Sequence, residues 1–219
     1  MKENKKRIEA ITLSAIMLAF ALSISAICAV LPFLNLPFGG GFTIASMLPV
    51  ILIAYMYGTK WGILTAFVYS VLQMLLGFNT VSAFFLPGDS QMLWWKAVLV
   101  ILIDYVIAYT VLGFGGVFRK KYGTRKALVL GSVLAISLRY IAHIVSGAIF
   151  FGTWAEWFFT QEGFYAWGGK ILEIFSGNGL ALIYSIIYNG TYMIPEIIIT
   201  AIAAALIVRI PQIKIRDEM

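Results

Sequence analysis

The chain has 219 residues, of which 61% are hydrophobic and only 12% are charged. Soluble domains carry about 25% charged residues, so this composition excludes an ordinary soluble protein and is typical of an integral membrane protein. The net charge of +6 does not indicate nucleic-acid binding, because the basic residues lie at the ends of apolar segments. The single cysteine, Cys28, excludes an intramolecular disulfide.

Charges and turn-forming residues divide the chain into six predicted apolar helices, at about 8–31, 43–57, 60–77, 95–118, 126–152 and 179–208. The first is too long for the apolar core of a signal peptide, which spans about 7–15 residues. The second and third are short for a bilayer, which takes about 20 residues to cross, unless they are tilted or packed against longer neighbours. We therefore predict an all-α polytopic membrane protein, with six transmembrane helices in one compact bundle.

The orientation of the bundle follows from its basic residues. Most of the 16 lysine and arginine residues lie at one set of predicted helix ends. Because cytoplasmic loops carry an excess of such residues, both termini are predicted to be cytoplasmic and the number of spans to be even. The aromatic-rich loops at 78–94 and 153–178 then lie outside. The loop "PFLNLPFGGGF" at 32–42 has glycine backbone that could act as a gate.

Polar residues lie inside three of the predicted spans, where hydrocarbon is the solvent. At 1.5 Å per helical residue, Asp104, His143 and Asn189 all lie roughly 13–15 Å below the outer ends of their helices. Tyr184 is shallower on the last helix, and Gly147, one turn above His143, would leave room beside them. Ionisable residues in a membrane are costly, so this convergence indicates a functional site in the outer half of the bundle.

Two further charges, Arg139 and Glu196, lie at equal depth on the last two predicted helices. An unpaired charge at mid-membrane costs several kcal/mol, so we predict a structural ion pair between them. With Arg139 engaged in this way, Asp104 would lack a protein cation, which favours a cationic ligand there. A proton relay is the competing use, but it should extend through the membrane. His143 and Asn189 could each be interhelical hydrogen-bonding residues instead.

Aromatic residues are dense after the fifth predicted helix, including Phe151 and Trp154. Part of this group is expected at the membrane interface, and the rest could stack on a flat heteroaromatic ring or cover a cation. The sequence has no P-loop and no metal-binding cluster, so we expect neither ATP binding by this chain nor a metal or cofactor. An intramembrane hydrolase that uses His143 with Ser146 or Ser137 is an alternative, although the G-x-S-x-G frame is absent.

Small residues recur every four positions on the first helix, at Ala15, Ala19 and Ser23. Such a stripe lets another helix approach closely. Two interpretations fit the pattern equally: packing within the bundle, or docking on another protein.

Four segments carry a family resemblance that spans about 8–208. They are "GGGFTIASMLPV" at 40–51, "LIDYVIAYTVLGFGGVFRKK" at 102–121, "RYIAHIVSGAIFF" at 139–151 and "YSIIYNGTYMIPE" at 184–196. Together they resemble the substrate-binding S-components of energy-coupling factor transporters, specifically the thiamine-specific one. The resemblance implies a six-helix membrane subunit that binds one thiamine near the outer face. It also implies docking through the helix 1 stripe on a transmembrane coupling subunit, with energy from two cytoplasmic ATPase subunits.

Carried over residue by residue, the resemblance implies a substrate site made of Asp104, Tyr105, Arg139, His143, Gly147, Phe151, Trp154, Tyr184 and Asn189. Two positions depart from the family pattern. Asp104 stands where glutamate is expected, and Phe151 stands where tryptophan is expected, with Trp154 as the substitute. We expect Asp104 to meet the ligand's cation or amino group, and His143 and Asn189 to bind its polar edges. A riboflavin- or pyridoxine-like vitamin is the alternative ligand, and a purely structural membrane protein is the remaining interpretation.

Overall fold

Long apolar helices dominate the computed structural model, which describes residues 2–36 and 41–216. In chain order the helices are α1 Lys2–Ala29, α2 Leu48–Tyr57, α3 Thr59–Leu76, α4 Phe78–Ala83, α5 Trp94–Gly116, α6 Thr124–Phe150, α7 Ala155–Phe159, α8 Tyr165–Ile174 and α9 Gly177–Ile207. Within the described ranges, the only β pairing is an isolated bridge between Asn35 and Gly41. The predicted all-α class is confirmed.

Five of these helices, α1, α3, α5, α6 and α9, are long and apolar enough to cross a membrane in the described part of the chain. The second predicted helix is shorter than its predicted range of 43–57. It has 10 residues, all of them buried, and is about 15 Å long. It begins late because Ala45 has a left-handed φ of 58°, which a continuing helix cannot contain, and because Pro49 favours a first helical turn at this point.

Helix α5 is irregular in two places that matter for its neighbours. A π-helical stretch at Leu102–Ile107 contains Asp104, and such wide turns are frequent at functional sites. The last turns, Val111–Gly116, tighten into a 3-10 helix. A Cβ atom on Gly113 would lie 2.4 Å from the backbone nitrogen of Ile63, so α5 and α3 are in direct backbone contact there.

Helices α6 and α9 pack against each other along much of their length. At Gly147 a Cβ atom would lie 2.2 Å from the Oγ of Ser185 on α9. We predicted that the missing side chain would leave room for a ligand. Most of that room is instead taken by α9, although Gly147 also lines a cavity described below.

The two predicted aromatic loops contain short helices. The first carries α4, and the second carries α7 and α8. Phe158 and Phe159 are almost fully buried, and the ring of Phe158 lies 4.6 Å from that of Phe164 and 5.3 Å from that of Tyr184. Much of the aromatic density after α6 therefore packs against itself and against α9, rather than lining a cavity.

Arg119 is buried at the end of the bundle opposite the aromatic loops. Its guanidinium donates hydrogen bonds to the backbone carbonyls of Tyr55, Met56 and Arg216, at 2.9, 2.7 and 2.5 Å. Arg216 also forms an ion pair with Glu9. The two ends of the described chain therefore lie at the same end of the bundle. That this end is cytoplasmic stays a prediction from the charge distribution.

Candidate ligand-binding site

A cavity of about 330 Å³ lies where α5, α6 and α9 meet. We call it the Asp104 cavity. Eight of the nine predicted site residues line it: Asp104, Tyr105, Arg139, His143, Gly147, Phe151, Tyr184 and Asn189. Small-molecule sites have volumes of about 300–1,000 Å³, so the space suits one small ligand.

The carboxyl group of Asp104 is held by two side chains of α6. The Nδ1 of His143 lies 2.8 Å from Oδ1, and the Oγ of Ser146 donates to Oδ2 at 2.6 Å. His143 and Ser146 are three residues apart, so they share one face of α6. Asp104 therefore has two hydrogen-bond partners, and the expectation that it lacks a protein cation stays a prediction, because His143 is a cation only when it is protonated. The side chain nevertheless remains 18% exposed, and it lines the cavity.

The ring of His143 offers a hydrogen-bond acceptor. Because a carboxylate only accepts, the Nδ1 facing Asp104 carries the hydrogen. In the neutral form of the ring, Nε2 is then a bare acceptor. This Nε2 is buried and has no hydrogen-bond partner within the described residues. A buried polar atom without a partner costs free energy, so the site is complemented by a ligand that donates a hydrogen bond there.

The predicted ion pair between Arg139 and Glu196 is not formed. Among the described residues, the polar partners of Arg139 are the Tyr109 hydroxyl and the Sδ of Met47, each at 3.1 Å, and its guanidinium lies over the Tyr109 ring. Glu196 accepts from the backbone nitrogen and the hydroxyl of Thr43, at 2.7 and 2.5 Å. The two side chains have equal predicted depths but are not in contact. Arg139 contacts Met47 and Tyr109 instead, and Glu196 contacts Thr43.

Three tyrosines of α9 line the cavity at four-residue intervals: Tyr184, Tyr188 and Tyr192. Only Tyr184 was predicted, although the spacing itself indicates a single helical face. Trp154, which was predicted to stack on the ligand, lies outside the cavity. It is 44% exposed and packs edge-on against Trp157, because the 3-10 turn at Gly152–Trp154 redirects the chain after α6.

Asn189 lines the cavity, but its amide is used within the protein. Its Nδ2 donates to the backbone carbonyls of Ser185 and His143, at 2.8 and 3.3 Å, and its Oδ1 accepts from the hydroxyl of Tyr192. The bond to His143 joins α9 to α6. The interpretation as an interhelical hydrogen-bonding residue therefore describes this side chain in the structure.

Comparisons with known proteins agree with this architecture. The family model for thiamine transporter proteins matches residues 11–159. The thiamine transporter ThiT of Bacillus subtilis is 30% identical over 217 residues, which covers 94% of this chain and 93% of that protein. The chain belongs to the thiamine transporter protein family. The crystal structure of ThiT from Listeria monocytogenes has the same fold, with a TM-score of 0.63 at 21% identity, and covers 96% of this chain and 100% of its own.

In this thiamine transporter family member, a second cavity of about 350 Å³ adjoins the first. We call it the Glu196 cavity, and it has a polar lining that includes Ser46, Gln73 and Glu196. The two cavities share five lining residues: Gly41, Thr80, Tyr105, Tyr109 and Arg139. They are therefore neighbouring chambers of one region. The predicted hinge glycines Gly39 and Gly40 lie outside the described residues.

The small-residue stripe of α1 is exposed and is not covered by another helix of the described chain. Ala15, Ala19 and Ser23 are exposed, whereas the neighbouring Ser14 and Leu18 are buried. Internal packing therefore does not account for the stripe. Ala19 and Ser23 line an apolar groove of about 780 Å³ between α1, α2 and α9.

Proposed function

We propose that this chain captures thiamine in the Asp104 cavity, as the substrate-binding membrane subunit of an ATP-driven importer. The observation that carries the proposal is the meeting of eight predicted site residues around one cavity of ligand size. The relatives named as thiamine transporters support the choice of ligand. They also favour transport over the enzyme alternative, as does the single hydroxyl hydrogen of Ser146, which is directed at Asp104 and not at His143.

The chemistry of thiamine fits the groups that line the cavity. Thiamine has a fixed positive thiazolium ring, an aminopyrimidine with N–H donors and a hydroxyethyl arm. Asp104 supplies negative charge, and the Nε2 of His143 supplies an acceptor for an N–H group. The tyrosine faces of α9 supply stacking and cation–π contacts. A riboflavin-like ligand would leave the negative charge of Asp104 without a counterpart.

Coupling to energy requires partners, because this sequence lacks a P-loop. We assign docking on a transmembrane coupling subunit to Ala15, Ala19 and Ser23, with two cytoplasmic ATPase subunits attached to that partner. The exposure of the stripe beside an apolar groove supports this assignment. Small side chains allow a partner helix to approach closely where there is no hydrophobic driving force between helices.

Ligand titration tests the proposed capture of thiamine in the Asp104 cavity. Purified protein in detergent is titrated with thiamine, riboflavin and pyridoxine while tryptophan emission and heat of binding are recorded. The proposal expects saturable thiamine binding at submicromolar concentration and much weaker binding of the other two. Absence of thiamine binding by folded protein would reject the proposal, and tight binding of another vitamin would replace the ligand.

A bulky substitution tests the docking surface. Ala19→Trp should leave thiamine binding unchanged but abolish uptake of labelled thiamine in cells that contain the complete importer. Leu75→Trp is the matched control, because Leu75 is also exposed but lies on α3, far from the stripe in sequence. Normal uptake by the Ala19→Trp variant would remove the stripe from the docking surface.

A further inference from the structure

The chain just before α2 forms part of the wall of both cavities. Gly41 lines the Asp104 cavity and the Glu196 cavity, and Phe42, Thr43 and Ser46 line the latter. We call residues 41–46 the wall segment. It is not helical, so regular backbone hydrogen bonds do not hold it in place as they hold the helices around it. Two backbone contacts join it to the chain after α1: the bridge between Gly41 and Asn35, and the hydrogen bond from the Phe42 nitrogen to the Leu34 carbonyl at 3.1 Å. Beyond these, its position depends on side chains from elsewhere in the bundle.

Glu196 supplies that hold from the middle of α9. Its side chain is almost fully buried, at 2% exposure, and both of its oxygens are directed at Thr43. The backbone N–H of Thr43 donates to Oε2 at 2.7 Å, and its hydroxyl donates to Oε1 at 2.5 Å. One carboxyl group thus takes both donors of a residue that is 153 positions away in sequence. In a region of low dielectric, such a pair of bonds holds the backbone firmly.

The hydrogen bonds that fix Thr43 continue along the wall segment to Ser46. The hydroxyl oxygens of Thr43 and Ser46 are 2.6 Å apart. Since the only hydroxyl hydrogen of Thr43 goes to Glu196, Ser46 is the donor in this pair. The relay therefore runs from Ser46 to Thr43 to Glu196. Just beyond the segment, Arg139 contacts the Sδ of Met47 and also lines the Asp104 cavity.

We infer that Glu196 is a positioning residue for ligand retention: through Thr43 it fixes the wall segment against the cavities and so slows ligand release. The inference rests on the proposed thiamine binding. It differs from the predicted role of Glu196, which was to neutralise Arg139. Glu196 need not touch the ligand, because it acts on the backbone that encloses the ligand. The signature is a faster dissociation rate, since release requires the wall segment to move away from the cavities.

Stopped-flow fluorescence on the full chain in lipid nanodiscs tests the inference, with thiamine as the probe. Thr43→Val keeps the shape of the side chain and removes the hydroxyl bond. Thr43→Ser restores the hydroxyl, and Glu196→Gln keeps the size but removes the charge. Loss of a hydrogen bond to a charged acceptor costs a free energy that corresponds to a change of about tenfold or more in an equilibrium constant. We expect about tenfold faster dissociation for Thr43→Val and Glu196→Gln, with Thr43→Ser within about threefold of the wild type.

Thr65→Val is the matched control. Thr65 is buried on α3, donates to the carbonyl of Trp61 and lines neither cavity. It should leave dissociation unchanged even if it lowers the melting temperature. If Thr43→Val fails to fold, the Thr43→Ser and Glu196→Gln rates decide the matter. A Glu196→Gln variant that folds and releases thiamine at the wild-type rate overturns the inference. Wild-type protein that does not bind thiamine rejects the proposed function instead, so the two failures are distinguishable.

Discussion

Replacing Asp104 with asparagine removes the negative charge of the cavity with almost no change in shape. The protein can adapt to the change, because the Ser146 hydroxyl can turn to accept from the new amide while the amide oxygen still accepts from His143. The substitution should therefore weaken ligand binding and leave the fold unchanged. At a separation of about 5 Å and an effective dielectric constant of about 20, a carboxylate and a thiazolium attract each other by about 3 kcal/mol. We expect thiamine to bind roughly a hundredfold more weakly.

Calorimetric titration of Asp104→Asn with thiamine measures this loss directly. Asp89→Asn is the control, because Asp89 is an exposed carboxylate in the loop before α5 and does not line the cavity. A neutral aminopyrimidine fragment of thiamine separates charge from hydrogen bonding. Its affinity should fall by less than that of thiamine if Asp104 acts on the cation. Affinity for thiamine within about threefold of the wild type would refute the role given to Asp104.

Four further substitutions test the geometry. Gly147→Ala places a methyl group 2.2 Å from the Oγ of Ser185, so thermal unfolding in detergent should show a loss of about 1–3 kcal/mol, together with weaker thiamine binding. Trp154→Ala should change affinity by less than about twofold, whereas Phe151→Ala, which removes a lining ring, should weaken binding at least fivefold in the same titration. Arg119→Lys loses the forked donor set that binds three carbonyls, so the melting temperature should fall while thiamine affinity stays unchanged.

The sequence predicted the helical class and most of the helix ends, because a bilayer imposes a strong requirement on length and apolarity. The third predicted helix, at 60–77, is observed at Thr59–Leu76. The start of α2 was misplaced because apolarity does not end where the helix does. Ala45 has a left-handed backbone conformation, which alanine does not favour, so the residue type at that position does not predict it.

The site was predicted in composition but not in pairing. Estimates of depth along each helix brought Asp104 and His143 to one level, and the structure places them in contact. The same estimate failed for Arg139 and Glu196, because depth gives no information on rotation about the helix axis or on the irregular chain before α2. In α5, the π-helical stretch changes the direction in which side chains near Asp104 leave the helix axis. Sequence periodicity does not predict this change, because it assumes a regular helix.

The short helix α2 has a consequence for how the molecule is assembled in the membrane. Ten residues reach only about half of the 30 Å hydrocarbon layer, so α2 cannot reside in lipid as an independent span. Its free backbone ends must be sheltered by neighbours that are already in place. During biogenesis, α2 therefore has to insert after, or together with, the helices that enclose it. In a truncated chain that lacks α5 and α6, α2 would not be stably inserted.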